Sequence, residues 1–137
     1  MTLIVDTGPL FAHLDRDDRH HLACSRLLER WEGPVIIPQL VVAEATYFID
    51  KKLNPTAEIR LLQDLASGAF GTAPVEPRDW LRIAELVWRY RDARLGTVDA
   101  SAVALAERLG VTAIATLDHR HFGMVRPAHA DAFELLP

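Results

Sequence analysis

The chain contains a single cysteine, Cys24, among 137 residues, and only two lysines, Lys51 and Lys52. One thiol cannot close an internal disulfide, which fits a reducing cytoplasm and removes every disulfide-stapled scaffold. The shortage of lysine excludes a P-loop, whose lysine must follow a glycine loop. The seven glycines never occur as Gly-x-Gly, so a dinucleotide fingerprint is missing as well. No apolar run approaches the ~18 residues needed to span a bilayer. The start, Met1 to Asp6, lacks the basic residues and long apolar stretch of a signal peptide. With 15 basic against 19 acidic residues the formal net charge is −4, without the positive excess of a general nucleic-acid coat. A local basic rim around an acidic pocket is still open. What remains is an ordinary globular composition, half apolar and a quarter charged, at a length typical of one domain. A single cytoplasmic domain over residues 1–137, with no membrane partner, is expected.

Strands and helices alternate along the chain. Leu3-Ile4-Val5 is a short β-branched run stopped by Asp6 and punctuated by Gly8-Pro9. Leu22, Leu27, Leu28 and Trp31 recur at helical spacing over Asp17 to Trp31. Val35-Ile36-Ile37 is a second strand, and Pro38 opens a helix running to about Leu53. Asn54-Pro55 starts another helix, Thr56 to Ser67. Phe70 to Val75 is a weak strand, and Pro77 opens a helix carrying Trp80, Ile83, Val87 and Trp88. An alanine-rich helix from Thr97 to Leu109 stops at Gly110. Ala113 to Leu117 is a strand, and Phe133 to Leu136 an edge strand. This alternation predicts an α/β fold, a parallel sheet flanked by helices, whose ligands bind at the carboxyl ends of the strands.

Carboxylates gather where such a site would lie. Two apolar strand runs end in aspartate, at Asp6 and at Asp118, and strand alternation puts Thr116 and Asp118 on one face. Each aspartate taken alone also reads as a cap of the following turn. Glu44 has Leu40, Val41, Tyr47 and Phe48 as its helical neighbours, a costly setting for a charge that is neither paired nor bound to a cation. A crevice in which Glu44 reaches water or an arginine is the alternative. Asp99 lies in the first turn of the alanine-rich helix, where the helix dipole favours an acid. Together the four form an oxygen donor set without cysteine, suited to Mg²⁺ or Mn²⁺ and to metal-assisted phosphodiester hydrolysis.

Four segments carrying these acids resemble the motifs of the PIN-domain family and, within it, of VapC-type ribonuclease toxins from toxin–antitoxin systems. They are Ile4-Val5-Asp6-Thr7-Gly8-Pro9-Leu10, Pro38 through Glu44, Val98-Asp99-Ala100-Ser101-Ala102-Val103-Ala104, and Ala115 through Phe122. The resemblance spans nearly the whole chain. It implies a three-layer PIN fold with a mostly parallel five-stranded sheet, and cleavage within RNA chains. It also implies that Asp6, Glu44, Asp99 and Asp118 form the metal pocket, with Asp6 and Asp99 as direct ligands. In this family the hydroxyl matching Thr116 supports the attacking water or the substrate. A small VapB-like antitoxin that blocks the pocket, and a homodimer, are the expected protein partners.

Other residues carry weaker signals. Arg94 and Arg120, beside the motifs, are candidate RNA phosphate contacts, with a solvated surface as the alternative. His119 and His121 lack the cysteines or the spaced pair of a zinc site. Trp31, Trp80 and Trp88 read as core, with one free to anchor a dimer or antitoxin contact. A dehalogenase-like phosphatase needs a second acid two residues after Asp6, where Gly8 stands. A receiver-type phosphoacceptor needs a lysine at a strand end, which neither lysine supplies. A housekeeping PIN nuclease in RNA maturation and a non-catalytic PIN-like binding module remain as the other readings.

Overall fold

The computed structural model describes residues 1–137. Five short strands form one sheet: β1 (Leu3–Val5), β2 (Val35–Pro38), β3 (Gly71–Ala73), β4 (Ala113–Ala115) and β5 (Glu134–Leu136). Their order is β3-β2-β1-β4-β5, and every pairing is parallel, one step beyond the mostly parallel sheet expected. Leu3, Ile4 and Val5 are all fully enclosed, the mark of a central strand covered on both faces. Alternation sends Leu3 and Val5 into one core and Ile4 into the other.

Seven helices cover the two faces. They are α1 (Thr7–Leu14), α2 (His21–Arg30), α3 (Gln39–Lys52), α4 (Pro55–Ser67), α5 (Pro77–Arg89), α6 (Thr97–Leu109) and α7 (His119–Met124). The first core joins Leu10 of α1 to Val41, Ala45 and Ile49 of α3, and the second joins Ile83 and Leu86 of α5 to Val103 of α6. Helix ends follow local chemistry. The Asn54 side chain accepts the Ala57 N–H at 2.9 Å, with Pro55 in the first turn. α4 and α6 stop at Gly68 and Gly110, both with positive φ.

Four expectations are corrected. Gly8-Pro9 does not punctuate β1; it lies in the first turn of α1, where the N–H that proline lacks has no intrahelical partner to lose. α2 begins at His21 rather than Asp17, because the carboxylates of Asp15 and Asp18 accept the backbone N–H groups of Asp17 and His20 and hold the preceding residues as a turn. β4 ends at Ala115 rather than Leu117, and Asp118 then caps the short helix α7. Trp80 and Trp88 are not core: they are 49% and 68% exposed, because α5 turns the Ile83 and Leu86 side inward. Trp31 is half-buried and donates its indole N–H to the Met1 carbonyl at 2.8 Å.

The sheet order reverses between β1 and β4. The chain runs outward from β1 through β2 to β3, then crosses over to β4 on the opposite side. Such a switch point opens a crevice at the carboxyl ends of the two strands. Asp6 leaves β1, and the segment from Thr116 to Asp118 leaves β4, at that crevice.

Candidate active site

Asp6 is the deepest of the acids, 6% exposed, with its backbone N–H bound to the Ala115 carbonyl at 2.9 Å. The enclosed Thr116 hydroxyl donates to Asp6 Oδ2 at 3.0 Å and accepts the Asp118 backbone N–H at 2.9 Å. One hydroxyl thus ties the ends of β1 and β4 together. The other oxygen, Asp6 Oδ1, is buried without any hydrogen-bond partner. A buried carboxylate oxygen left bare is costly. Burial, reinforced by the charges of Glu44 and Asp118, pushes the Asp6 carboxyl above its ordinary range, although the nearby Thr7 backbone N–H and the Thr116 hydrogen bond pull the other way.

Glu44 reaches the same crevice from α3, where it accepts the Thr7 hydroxyl at 2.6 Å. The inward stripe of α3 is Val41, Ala45 and Ile49, so Glu44 faces the crevice beside exposed Tyr47 and half-buried Phe48. The crevice reading of this helix face therefore holds, with a threonine in place of an arginine as the partner.

Asp99 and Asp118 complete the group. Burial in the first turn of α6, together with the charges of Asp6 and Asp118, pushes the Asp99 carboxyl up to about 7. Asp118 accepts the His121 N–H at 2.9 Å on one oxygen and faces His121 Nδ1 at 2.7 Å with the other. The same Nδ1 lies 3.8 Å from Asp99, and Nε2 lies 2.7 Å from the Ala93 carbonyl. Both ring nitrogens therefore face acceptors; the Ala93 carbonyl and then Asp118 raise the affinity of His121 for its proton.

Sequence reasoning named Asp6, Glu44, Asp99, Asp118 and Thr116, and the crevice at the strand ends brings all five together. It missed two participants. Thr7 was visible only as a motif letter, and its contact with Glu44 spans 37 positions. His121 was set aside as a zinc ligand, but with Asp99 and Asp118 it forms a group whose donor atoms lie within 4.8 Å of one another and could hold a metal ion. Its spacing of three from the N-cap Asp118 was the available signal. Arg94 and Arg120 are both exposed and free of salt bridges, on the turn before α6 and in α7. Arg94 holds a left-handed backbone, φ 59°.

The PIN domain family matches residues 3–126 of this chain. Ribonuclease VapC26 of Mycobacterium tuberculosis is 33% identical over 135 residues, covering 98% of this chain and 100% of the relative. Solved structures share the fold at lower identity. The Mycobacterium tuberculosis toxin VapC20, described as cleaving the sarcin–ricin loop, superposes with a TM-score of 0.82 at 17% identity, covering 94% of this chain and 98% of that one. VapBC from Salmonella typhimurium, crystallised bound to DNA, gives 0.71 at 14% identity, with 98% of each chain covered. No helix of the present chain is long and apolar enough to cross a membrane.

Proposed function

The chain belongs to the PIN-domain family, among its VapC-type ribonucleases, and from this premise we propose that it is a metal-dependent endoribonuclease, the toxin of a toxin–antitoxin pair. The observation that carries the reading is the bare buried oxygen of Asp6, surrounded by Glu44, Asp99 and Asp118 at the switch point of the sheet. An unpartnered carboxylate oxygen among like charges has the chemistry of a cation site. Asp6 and Asp99 would hold a Mg²⁺ or Mn²⁺ ion directly, with Glu44 and Asp118 beside them. When bound, such an ion lowers the pKa of water and neutralises charge on a phosphate.

The protein's own groups do the positioning. Thr116 donates its hydroxyl to Asp6 and accepts the Asp118 backbone N–H, which holds Asp6 in place. Thr7 holds Glu44 in the same way. His121 faces the carboxylates of Asp118 and Asp99 and pins the turn that carries Ala93 and Arg94 to the site. Arg94 and Arg120 then flank the acids as contacts for the RNA backbone. A VapB-like antitoxin, a homodimer and a cytoplasmic location belong to the same proposal. Finding a short neighbouring reading frame that encodes a DNA-binding protein would favour the toxin over a housekeeping nuclease.

The test is cleavage of single-stranded RNA by the purified protein with Mn²⁺ or Mg²⁺ and with excess EDTA. Cleavage is expected only with the cation; equal cleavage in EDTA removes the metal from the reaction. The arginines have a separate readout. Arg94→Ala and Arg120→Ala should each reduce the slope of log affinity against log salt by about 0.7, one phosphate contact on a single strand. An unchanged slope returns them to the solvated surface.

A further inference from the structure

A cavity of about 330 Å³ opens directly beside the acids and shares Thr7 and Glu44 with them. Beyond Gly8 and Leu117, its remaining lining is of two kinds. Phe11 of α1 and Phe48 of α3 supply apolar, aromatic walls, both half-buried. Asp18, from the turn between α1 and α2, and Lys52, from the last turn of α3, bring opposite charges to the same cavity. Neither charge is neutralised within the chain. Asp18 Oδ1 accepts the His20 N–H at 2.7 Å, and Oδ2 has no protein partner. Lys52 forms no salt bridge; its ammonium lies 5.2 Å above the Phe48 ring. None of these groups is used by the acids or by the residues that hold them.

We propose that this cavity is a base-reading subsite for the nucleotide next to the scissile phosphate, and that the base it selects is guanine. The proposal rests on the nuclease reading and deepens it. Single-stranded RNA is read by proteins that stack an unpaired base on aromatic side chains and hydrogen-bond its edge. Guanine carries two adjacent donors, N1–H and the N2 amine, beside the O6 acceptor. A carboxylate takes adjacent donors and an ammonium takes the carbonyl, which is the pair that Asp18 and Lys52 present. Uracil has no amine for Asp18. Adenine has no carbonyl for Lys52. Cytosine sets an acceptor nitrogen beside its amine, where a carboxylate is repelled. A two-ring base also covers more of the Phe11 and Phe48 surface than a pyrimidine does.

The probe is a set of short single-stranded RNAs, each with one guanosine in a background of uridine and adenosine, and their inosine counterparts, which lack only the N2 amine. With Mn²⁺, the wild-type protein should cut beside the guanosine. Inosine should lower kcat/KM by about tenfold, the order of discrimination that one edge contact to a charged group supplies. The loss should appear in KM, since the contact is present before and during reaction. Asp18→Asn keeps an oxygen for the His20 N–H but places an amide where the free carboxylate oxygen stood. It should cut guanosine and inosine RNAs with equal kcat/KM. Lys52→Met should narrow the preference for guanosine over adenosine, by the loss of the O6 contact, while keeping the guanosine-to-inosine ratio. Wild-type cleavage that ignores the base, or an Asp18→Asn protein that keeps the inosine penalty, overturns the subsite and leaves the nuclease intact. Absence of metal-dependent cleavage of every RNA overturns the nuclease reading itself.

Discussion

RNA cleavage by Asp6→Asn and Asp99→Asn proteins is expected to fall at least about a hundredfold, with the fold intact. Either substitution keeps the shape of the side chain and removes one negative charge from the proposed cation site. Asp6 has one oxygen held by Thr116 and one bare, so the asparagine is able to keep the Thr116 contact through its carbonyl oxygen while presenting an amide where the bare oxygen stood. The measurement is single-turnover cleavage under saturating Mn²⁺, beside a far-ultraviolet circular dichroism spectrum to show that the helices persist. Full activity in both proteins would remove these two acids from the reaction. Thr116→Val provides a graded comparison: it leaves every acid in place but releases Asp6 from its clamp, and a smaller loss is expected.

The same carboxylates should make the metal-free protein less stable than it would be without them. Asp99 is held up at about 7, first by burial and then by the charges of Asp6 and Asp118, whereas an unfolded chain releases that proton near 3.8. Between these values the native state binds more protons than the unfolded chain. Its contribution to stability is therefore fully present below about pH 4 and is lost as pH rises through about 7. Asp6 and His121, whose proton affinities are also raised, act in the same direction. In EDTA, the melting temperature should rise as pH is lowered from 8 toward 5, before general acid unfolding sets in.

Asp99→Asn should flatten that dependence. At pH 8 it should melt above wild type by roughly 3 °C, about 1 kcal/mol after allowance for solvent screening of a side chain that is 23% exposed. Mn²⁺ should reverse the ranking, because a cation at a hundredfold excess over its Kd stabilises wild type by about 2.7 kcal/mol and the variant by less. The experiment is a set of thermal melts of the two proteins, in EDTA and in Mn²⁺, at pH 5 and pH 8. A variant that melts below wild type in EDTA, with no shift from Mn²⁺ in either, would mean that the acids do not repel and hold no cation. Stability would then be exchanged for function in the opposite sense to that expected of a charged active site.

The sequence by itself determined the layer architecture and the identity of the acids. Leu3-Ile4-Val5 and Ala113-Ile114-Ala115 are unbroken apolar runs, which only a strand covered on both faces requires, and the helices between them keep a 3.6-residue period. These are local properties, so they survive being read one segment at a time. The four carboxylates stood out because each breaks its local pattern: two terminate apolar strands, one faces an apolar helical stripe, and one opens an alanine-rich helix.

Tertiary structure decided what each of those residues meets. Gly8-Pro9 is equally suited to a turn and to the first turn of a helix, and only packing of Leu10 into the core selects α1. Trp80 and Trp88 are large aromatic residues, yet the phase of α5 against α6 turns them outward, because helix rotation is set by Ile83 and Leu86 jointly. The Thr116 hydroxyl meets Asp6 across 110 positions, and Thr7 meets Glu44 across 37. No period or spacing encodes such pairs, since they arise where separate strands and helices end at one crevice. His121 is the clearest case. In the sequence it is a histidine three residues after an aspartate; in the fold, its two ring nitrogens lie between acidic oxygens and the carbonyl of a distant turn, and those surroundings raise its proton affinity.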